Sequence, residues 1–137
     1  MTDRDEHRWL IEQDDGYGEI RVHPHTNERL IAEALATPYA ALFDKEDESC
    51  VWCIGEPDRR IVEIRLCTDR SSCGHGVVAI ESSSSETTTL QADEHLLTVS
   101  RNEVLTRIQA EQVFLEFFRT KAVPKGFTVL QKRYLFD

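Results

Sequence analysis

The chain has 137 residues, enough to bury one hydrophobic core, and we expect a single domain over residues 1–137. Its 16 basic and 25 acidic residues give a formal net charge of −9 at pH 7. Nucleic-acid binding relies on clustered Lys and Arg side chains, so this balance argues against direct contact with nucleic acid. It suits a basic protein partner, because complementary charge speeds encounter.

The sequence predicts no membrane segment, since no apolar run approaches the roughly 20 residues that a bilayer-spanning helix needs. Residues 1–8 are strongly charged and lack the apolar stretch of a secretory signal. We therefore expect a cytoplasmic protein. Its four cysteines should then be reduced, and a disulfide is not expected.

Two short strands and a helix are predicted at the start of the chain. Residues 9–11 and 19–22 are short strand-like runs, separated by a Gly-containing turn. Thr26 or Asn27 can cap a helix, which Pro38 ends because a proline forces its predecessor out of the α region. The apolar residues of this helix recur at helical spacing: Leu30, Ile31, Ala34 and Leu35.

Four further strands are predicted in the middle of the chain, over residues 39–43, 50–54, 61–67 and 76–80. Residues 55–60, which contain Gly and Pro, are typical of a hairpin turn. Residues 82–89 are a Ser/Thr run broken by Glu86. This composition fits an exposed edge strand as well as a mobile loop.

A long helix is predicted near the C-terminus. Ser100 and Glu103 match a capping box, in which each side chain bonds the other residue's backbone amide. Pro124 and Gly126 end the helix, and residues 127–130 with 134–136 can form a closing strand or hairpin. The predicted apolar stripe consists of Val104, Leu105, Ile108, Phe114, Leu115 and Phe118.

The order of these elements predicts the fold class. Strands and helices are mixed without regular β-α-β alternation, which favours an α+β domain. We expect an antiparallel sheet of about five to seven strands, packed against an N-terminal helix and a long C-terminal helix.

The cysteines offer a possible zinc site, made of Cys50, Cys53, Cys67, Cys73 and His75. Residues three apart in a strand point to opposite faces, so Cys50 and Cys53 could not share an ion there. Buried hydrophobic cysteines are the favoured interpretation, with no metal and no cofactor. A small zinc-binding or regulatory domain is retained as the alternative.

Catalytic chemistry has no positive support in the sequence. A redox pair needs its Cys-x-x-Cys at a helix start, but Gly55 and Pro57 follow Cys53 closely. The stretch from Cys73 to Gly76 places a histidine near a thiol, although Gly-His-Gly is more typical of a turn or bulge. We predict that the protein is not an enzyme.

Two acidic groups are the candidate partner-binding residues. Asp44, Glu46, Asp47 and Glu48 lie in a predicted exposed loop between two strands. Asp14, Asp15 and Tyr17 form the second group, with Tyr17 as an amphipathic contact. A solvated loop would have the same composition. The functional interpretation is electrostatic docking of a basic partner.

Residues 97–127, LTVSRNEVLTRIQAEQVFLEFFRTKAVPKGF, resemble the C-terminal part of the first family of immunity proteins from bacterial polymorphic-toxin systems. Those proteins have a hydrophobic-Ser start, a helix ending in Phe-Phe, a short polar step, then Pro and a strand. The matching residues here are Val99-Ser100, Phe117-Phe118, Arg119-Thr120-Lys121, Pro124 and the strand from Phe127. The family commonly has Trp after the Pro and Gly before it, and this chain has neither.

The resemblance implies a small cytosolic α+β protein that neutralises one cognate toxin domain by direct binding. The toxins of related systems include nucleases and nucleic-acid deaminases, whose active clefts tend to be basic. An acidic protein is suited to bind such a cleft. A secretion chaperone or adaptor is a further alternative, which would bind its client without abolishing the client's activity.

Overall fold

A computed structural model describes residues 8–13, 20–21, 27–69, 72–82, 86–92, 94–132 and 134. The strands are β1 Trp9–Gln13, β2 Ile20–Arg21, β3 Tyr39–Asp44, β4 Cys50–Glu56, β5 Arg59–Asp69, β6 Ser72–Ile80, β7 Thr87–Ala92, β8 His95–Ser100 and β9 Phe127–Leu130. The helices are α1 Asn27–Ala34 and α2 Arg107–Thr120, and a 3-10 turn spans Arg101–Glu103.

Most strands join one antiparallel sheet. Within the described residues it has seven strands in the order β2-β1-β3-β4-β5-β6-β9, and β2 contributes only two residues. Strands β7 and β8 pair separately as a two-stranded hairpin. The predicted α+β class with an antiparallel sheet is therefore confirmed. Sequential neighbours pair from β3 to β6, as short connections favour.

The helices cover one face of the sheet and enclose the main core. Helix α2 buries residues at positions i, i+3, i+4 and i+7, which lie on one side of a helix. Helix α1 contributes Ile31, Ala34 and Leu35, the last just beyond its end. The α2 residues in this core are Ala110, Val113, Phe114 and Phe117.

The prediction for the C-terminal helix was wrong in its start and length. Ser100 makes no capping hydrogen bond, and α2 begins at Arg107 and has 14 residues. Its capping box uses Thr106 and Gln109 instead, with the Gln109 amide donating to Thr106 Oγ1 at 3.1 Å. The physical reason is tertiary: the Leu105 backbone pairs with Arg60 in both directions, at 2.7 and 2.8 Å, which a helix does not allow.

The predicted apolar stripe was right for Leu105 and Phe114, which are fully buried in the main core, and wrong for its other members. Ile108 is 69% exposed, and Val104 lies outside the helix, against the β7–β8 hairpin. Leu115 and Phe118 pack only at the margin of the core. Because Val104 was placed inside the helix, the expected apolar face was shifted away from the residues that are buried in the structure.

Residues 74–76 were predicted as a turn or bulge, but they lie inside β6 and pair in regular register with β5. Strand β9 approaches the backbone of β6 closely at Gly76, and only a residue without a side chain fits there. A Cβ atom on Gly76 would stand 2.4 Å from the Leu130 carbonyl oxygen, closer than real Cβ contacts allow. The glycine therefore marks a close backbone approach between two strands.

The Ser/Thr-rich segment becomes a strand from Thr87 onward. It pairs with β8, which the sequence analysis did not predict. The hairpin packs Leu90 and Val99 against Ile61, on the face of the sheet away from the helices. Tyr134 packs beside them, and the rest of the proposed closing segment, 135–136, lies outside the described residues.

A buried arginine joins α1 to the centre of the sheet. Arg60 is only 1% exposed. Its guanidinium donates to the carbonyl oxygens of Leu35 at 2.9 Å and Thr37 at 2.8 Å, and also to that of Pro57. Carbonyl oxygens near the end of a helix are favourable acceptors for a cation.

No helix in the described part of the chain is both long and apolar enough to cross a bilayer.

Candidate functional site

The acidic loop, Asp44–Glu48, is a tight turn between β3 and β4. The Asp44 amide donates to the Ser49 carbonyl at 2.8 Å, and the Glu48 amide donates to the Asp44 carbonyl at 2.9 Å. The side chains reinforce the turn, because Asp44 accepts from the Glu46 amide and Asp47 accepts from the Ser49 amide, both at 2.9 Å. Glu48 adopts a positive φ of 68°. The loop is therefore an ordered platform.

Asp44 lies inside the molecule, with 0% of its side chain exposed. The Arg8 guanidinium donates two hydrogen bonds to the Asp44 carboxylate, of 3.1 and 3.0 Å, and so forms an ion pair with it. The Lys121 ammonium forms a second ion pair with the same carboxylate. Lys121 follows α2 directly and adopts a left-handed backbone conformation. This Arg8–Asp44–Lys121 clamp connects the start of β1, the acidic loop and the end of α2.

Aromatic rings line the clamp on its inner side. The Trp9 ring packs edge-on against Phe117 at 5.7 Å and against Phe118 at 4.8 Å between ring centroids. The Arg8 and Lys121 cations each lie 5.4 Å from the centre of the Trp9 ring. Cations over an aromatic face are stabilised by the ring's quadrupole. Charge and packing thus hold the same three chain segments together.

The pKa values of Arg8 in the clamp and of Asp47 beside it are both shifted. The hydrogen bonds to Asp44 raise the pKa of Arg8 above its usual value, against the opposing effect of burial. Partial burial acts to raise the pKa of Asp47, but the Lys121 ion pair and the Ser49 hydrogen bonds outweigh it and lower the pKa. Lys121 Nζ lies 2.7 Å from Asp47 Oδ2. Both shifts favour the charged forms that hold the loop.

The predicted docking residues differ in their exposure. The Asp44 side chain is buried between Arg8 and Lys121, so the prediction of an exposed loop was wrong for this residue. Asp47 is half-buried and paired with Lys121. Glu48 is exposed, and Glu46 is 38% exposed while lying 3.4 Å from Arg8. Asp14, Asp15 and Tyr17 lie outside the described residues.

A surface cleft of about 440 Å³ opens beside this loop, on the sheet face away from the helices. Leu10, Phe43 and Cys50 supply its apolar surface, and Arg65 stands on β5 beside them. The loop contributes the remaining lining residues, Asp44, Lys45, Glu48 and Ser49. Apolar surface bordered by charge is typical of a site that receives a side chain of a partner protein.

A second polar cluster lies on the same face of the sheet. Glu63 is buried, and its carboxylate lies 3.0 Å from His75 Nε2. The Tyr134 amide donates to the other Glu63 oxygen at 2.9 Å. Trp52 packs edge-on against the His75 ring, with centroids 5.1 Å apart. This cluster anchors the chain near Tyr134 to the sheet.

The cysteines occupy three different settings. Cys53 lies in the main core and Cys50 on the opposite face, which confirms the strand interpretation of Cys-Val-Trp-Cys. Burial raises the pKa of both thiols to about 11, so they are protonated at neutral pH. Cys67 and Cys73 form a disulfide, so the expectation of four reduced cysteines was wrong for this pair.

These positions do not assemble the alternative zinc site. Cys50 and Cys53 point to opposite faces, and the other two sulfurs are bonded to each other. Across the described ranges, no group of three or more His, Cys, Asp or Glu residues is arranged to hold a metal ion.

Sequence analysis missed Arg8, Lys121, Arg65 and Glu63. The two clamp cations, Arg8 and Lys121, leave no recognisable pattern in the sequence, because each contacts Asp44 from a distant part of the chain. Arg8, for example, lies 36 residues before Asp44. Glu63 and Arg65 did leave a signal. They alternate with Val62 and Ile64 in β5, so the pattern places them together on the face away from the helices.

None of the known protein-family models matches the chain, and no curated protein is significantly similar to it in sequence. The resemblance of residues 97–127 to an immunity-protein family therefore stays a prediction.

Proposed function

We propose that this chain is a non-enzymatic immunity protein, which acts in the cytoplasm by binding and neutralising a cognate toxin domain. The toxin would be a basic protein that attacks nucleic acid, as a nuclease or deaminase. The net charge of −9 supports a basic partner, since opposite fields steer association.

One observation carries the proposal. The segment that resembles the immunity family supplies the residues that hold the acidic loop: Phe117 and Phe118 pack on Trp9, and Lys121 pairs with Asp44 and Asp47. The resemblance and the candidate docking loop are thus parts of one substructure. A loop held in this way loses little conformational freedom on binding, which favours tight association.

The proposed contact surface is the exposed part of the loop together with the cleft. Glu46 and Glu48 supply the electrostatic contacts. Leu10 and Phe43 supply apolar surface for one aromatic or apolar anchor of the toxin, as interface centres favour. In this division, the carboxylates mainly raise the association rate and the anchor slows dissociation.

Charge reversal tests the surface with the purified cognate toxin domain. In Glu46→Lys/Glu48→Lys, we expect the association rate at low salt to fall about tenfold, with a weaker dependence on salt. The matched control is Glu81→Lys/Glu94→Lys, which changes the net charge equally, at exposed positions away from the loop. Equal losses in both pairs would show that only net charge matters and would remove the loop assignment.

A secretion chaperone would pass the binding test but fail an activity test. An immunity protein abolishes the nuclease or deaminase activity of its partner at a one-to-one ratio, whereas a chaperone leaves that activity intact. Measuring toxin turnover with increasing amounts of this chain separates the two.

A further inference from the structure

The Cys67–Cys73 disulfide crosses between two neighbouring strands. The residues are directly opposite in the β5–β6 register, and their Cα atoms are 4.0 Å apart. Their exposure differs: Cys67 is 8% exposed, whereas Cys73 faces solvent. The ladder becomes irregular between Cys67 and Asp69, immediately beyond the disulfide. The bond therefore secures the last regular rung at this end of the strand pair.

This rung is joined to the acidic loop through Ser49. The Cys67 amide donates to Ser49 Oγ at 2.9 Å in a buried hydrogen bond. Ser49 in turn accepts the Asp44 amide on its carbonyl and donates its own amide to Asp47. One residue thus links the disulfide to both ends of the loop turn.

A second link runs through Arg65 to the cleft. Arg65 Nη2 lies 3.4 Å from Cys73 Sγ, and the same side chain lines the cleft. A guanidinium beside a sulfur stabilises its thiolate form. Arg65 therefore contacts both the disulfide and the cleft, so a change at Cys73 can reach the cleft through this one side chain.

We propose that Cys67–Cys73 is a reversible thiol–disulfide switch, entered at Cys73 by small thiols of the glutathione class, which controls the order of the acidic loop. The oxidised form holds Ser49 and the loop turn in place. The reduced form keeps the fold, because rungs such as Arg65↔His75 and Glu63↔Val77 remain, but loosens the Cys67–Ser49 anchor.

The chemistry is a two-step exchange. A thiolate of the small thiol attacks the exposed Cys73 sulfur; a new S–S bond forms there, the Cys67–Cys73 bond breaks, and its electron pair leaves on Cys67, which takes a proton from water. A second small thiolate then attacks the outer sulfur of the mixed disulfide. This releases the oxidised small thiol and leaves Cys73 as a thiolate stabilised by Arg65. Overall, two small thiols are oxidised and one protein disulfide is reduced.

The consequence for a partner rests on the proposed function. If the loop docks a toxin, the oxidised form should bind faster, because its carboxylates are held in place before contact. A reducing cytosol would then favour the weaker binder, and oxidative stress the stronger one. The coupling between the disulfide and the loop does not depend on any toxin.

The test follows the redox state of the two cysteines and the order of the acidic loop in the full chain. The protein is equilibrated in glutathione buffers of graded redox ratio, its free thiols are alkylated, and its mass is measured by mass spectrometry. Peptide mapping should find the mixed disulfide on Cys73 and not on Cys67. Hydrogen exchange of residues 44–49 should speed up by roughly five- to thirty-fold on reduction, the loss of about 1–2 kcal/mol of local stability. The β8 amides should not change.

Two variants make this test specific. Cys67→Ser/Cys73→Ser should exchange at the reduced rate in every buffer. Ser49→Ala removes the hydroxyl anchor, so its loop should exchange fast and no longer respond to glutathione. Free thiols at Cys67 and Cys73 in the oxidising buffer, or equal loop exchange in both redox states of the native chain, would overturn the proposal. If the native chain shows the coupling but does not bind or inhibit the toxin, only the proposed function fails.

Discussion

Two buried carboxylates, Asp44 and Glu63, are stabilised by different kinds of partner. Asp44 is enclosed by two basic side chains, Arg8 and Lys121, which both form ion pairs with it. Glu63 lies on the other side of the sheet, where His75 and the Tyr134 amide bond it. A carboxylate held between two cationic side chains from distant segments is a fixed structural element. Glu63 instead depends on the position of the chain near Tyr134, whose backbone amide it binds.

The largest effect should come from breaking the clamp. Asp44→Asn leaves Arg8 and Lys121 without their shared anion, and we expect a loss of about 3 kcal/mol in the free energy of unfolding. Urea denaturation measures it. Glu48→Gln is the control, and it should change stability by less than about 0.5 kcal/mol because Glu48 is exposed. Equal effects of the two substitutions would mean that the clamp does not stabilise the fold.

Glu63→Gln should have a smaller effect, about 1–2 kcal/mol in the same assay. The oxygen of the introduced amide can still accept from the Tyr134 amide, so only part of the cluster is lost. Hydrogen exchange should localise the change to the Tyr134 amide and the His75 region of β6. A loss as large as that of Asp44→Asn would contradict the distinction between the two carboxylates.

The clamp also depends on α2, because Lys121 follows the last turn of this helix. Thr106→Ala removes the N-cap and should cost about 1 kcal/mol of stability. Ser100→Ala, at the capping box predicted from sequence, should be close to neutral, since Ser100 makes no cap hydrogen bond. Thermal unfolding of both variants decides which residue caps the helix, and the reverse order would restore the original prediction.

The smallest effect is a dependence on pH. The pKa of Asp47 is lowered in the folded chain, so its contribution to stability is present above the unfolded value of 3.8 and is lost as pH falls through the folded pKa. Urea midpoints of the native chain should therefore fall more steeply below this pH than those of Asp47→Asn. Identical slopes would show that the Lys121 contact does not favour the charged carboxylate.

Sequence patterns predicted the elements that are determined locally. The alternation in β5 and the apolar run at Cys50–Ile54 indicated strands, and the spacing of Ile31, Ala34 and Leu35 indicated α1. These signals arise from neighbouring residues in contact with one core, so they can be recognised without knowing the fold.

The features that sequence analysis missed depend on distant partners. The start of α2 is set by pairing of Leu105 with Arg60, and the burial of Asp44 by Arg8 and Lys121. The Cys67–Cys73 bond requires the β5–β6 register. None of these contacts leaves a local pattern, and the expected exposure of Asp44 was wrong for that reason.

Growth rescue tests the proposed function most directly. The proposed cognate toxin domain is expressed from an inducible promoter, together with the native chain, with Glu46→Lys/Glu48→Lys, or with the Glu81→Lys/Glu94→Lys control. We predict full rescue by the native chain and the control, and reduced rescue by the loop variant. Continued killing in the presence of abundant, folded native chain would contradict the assignment of this protein as an immunity protein.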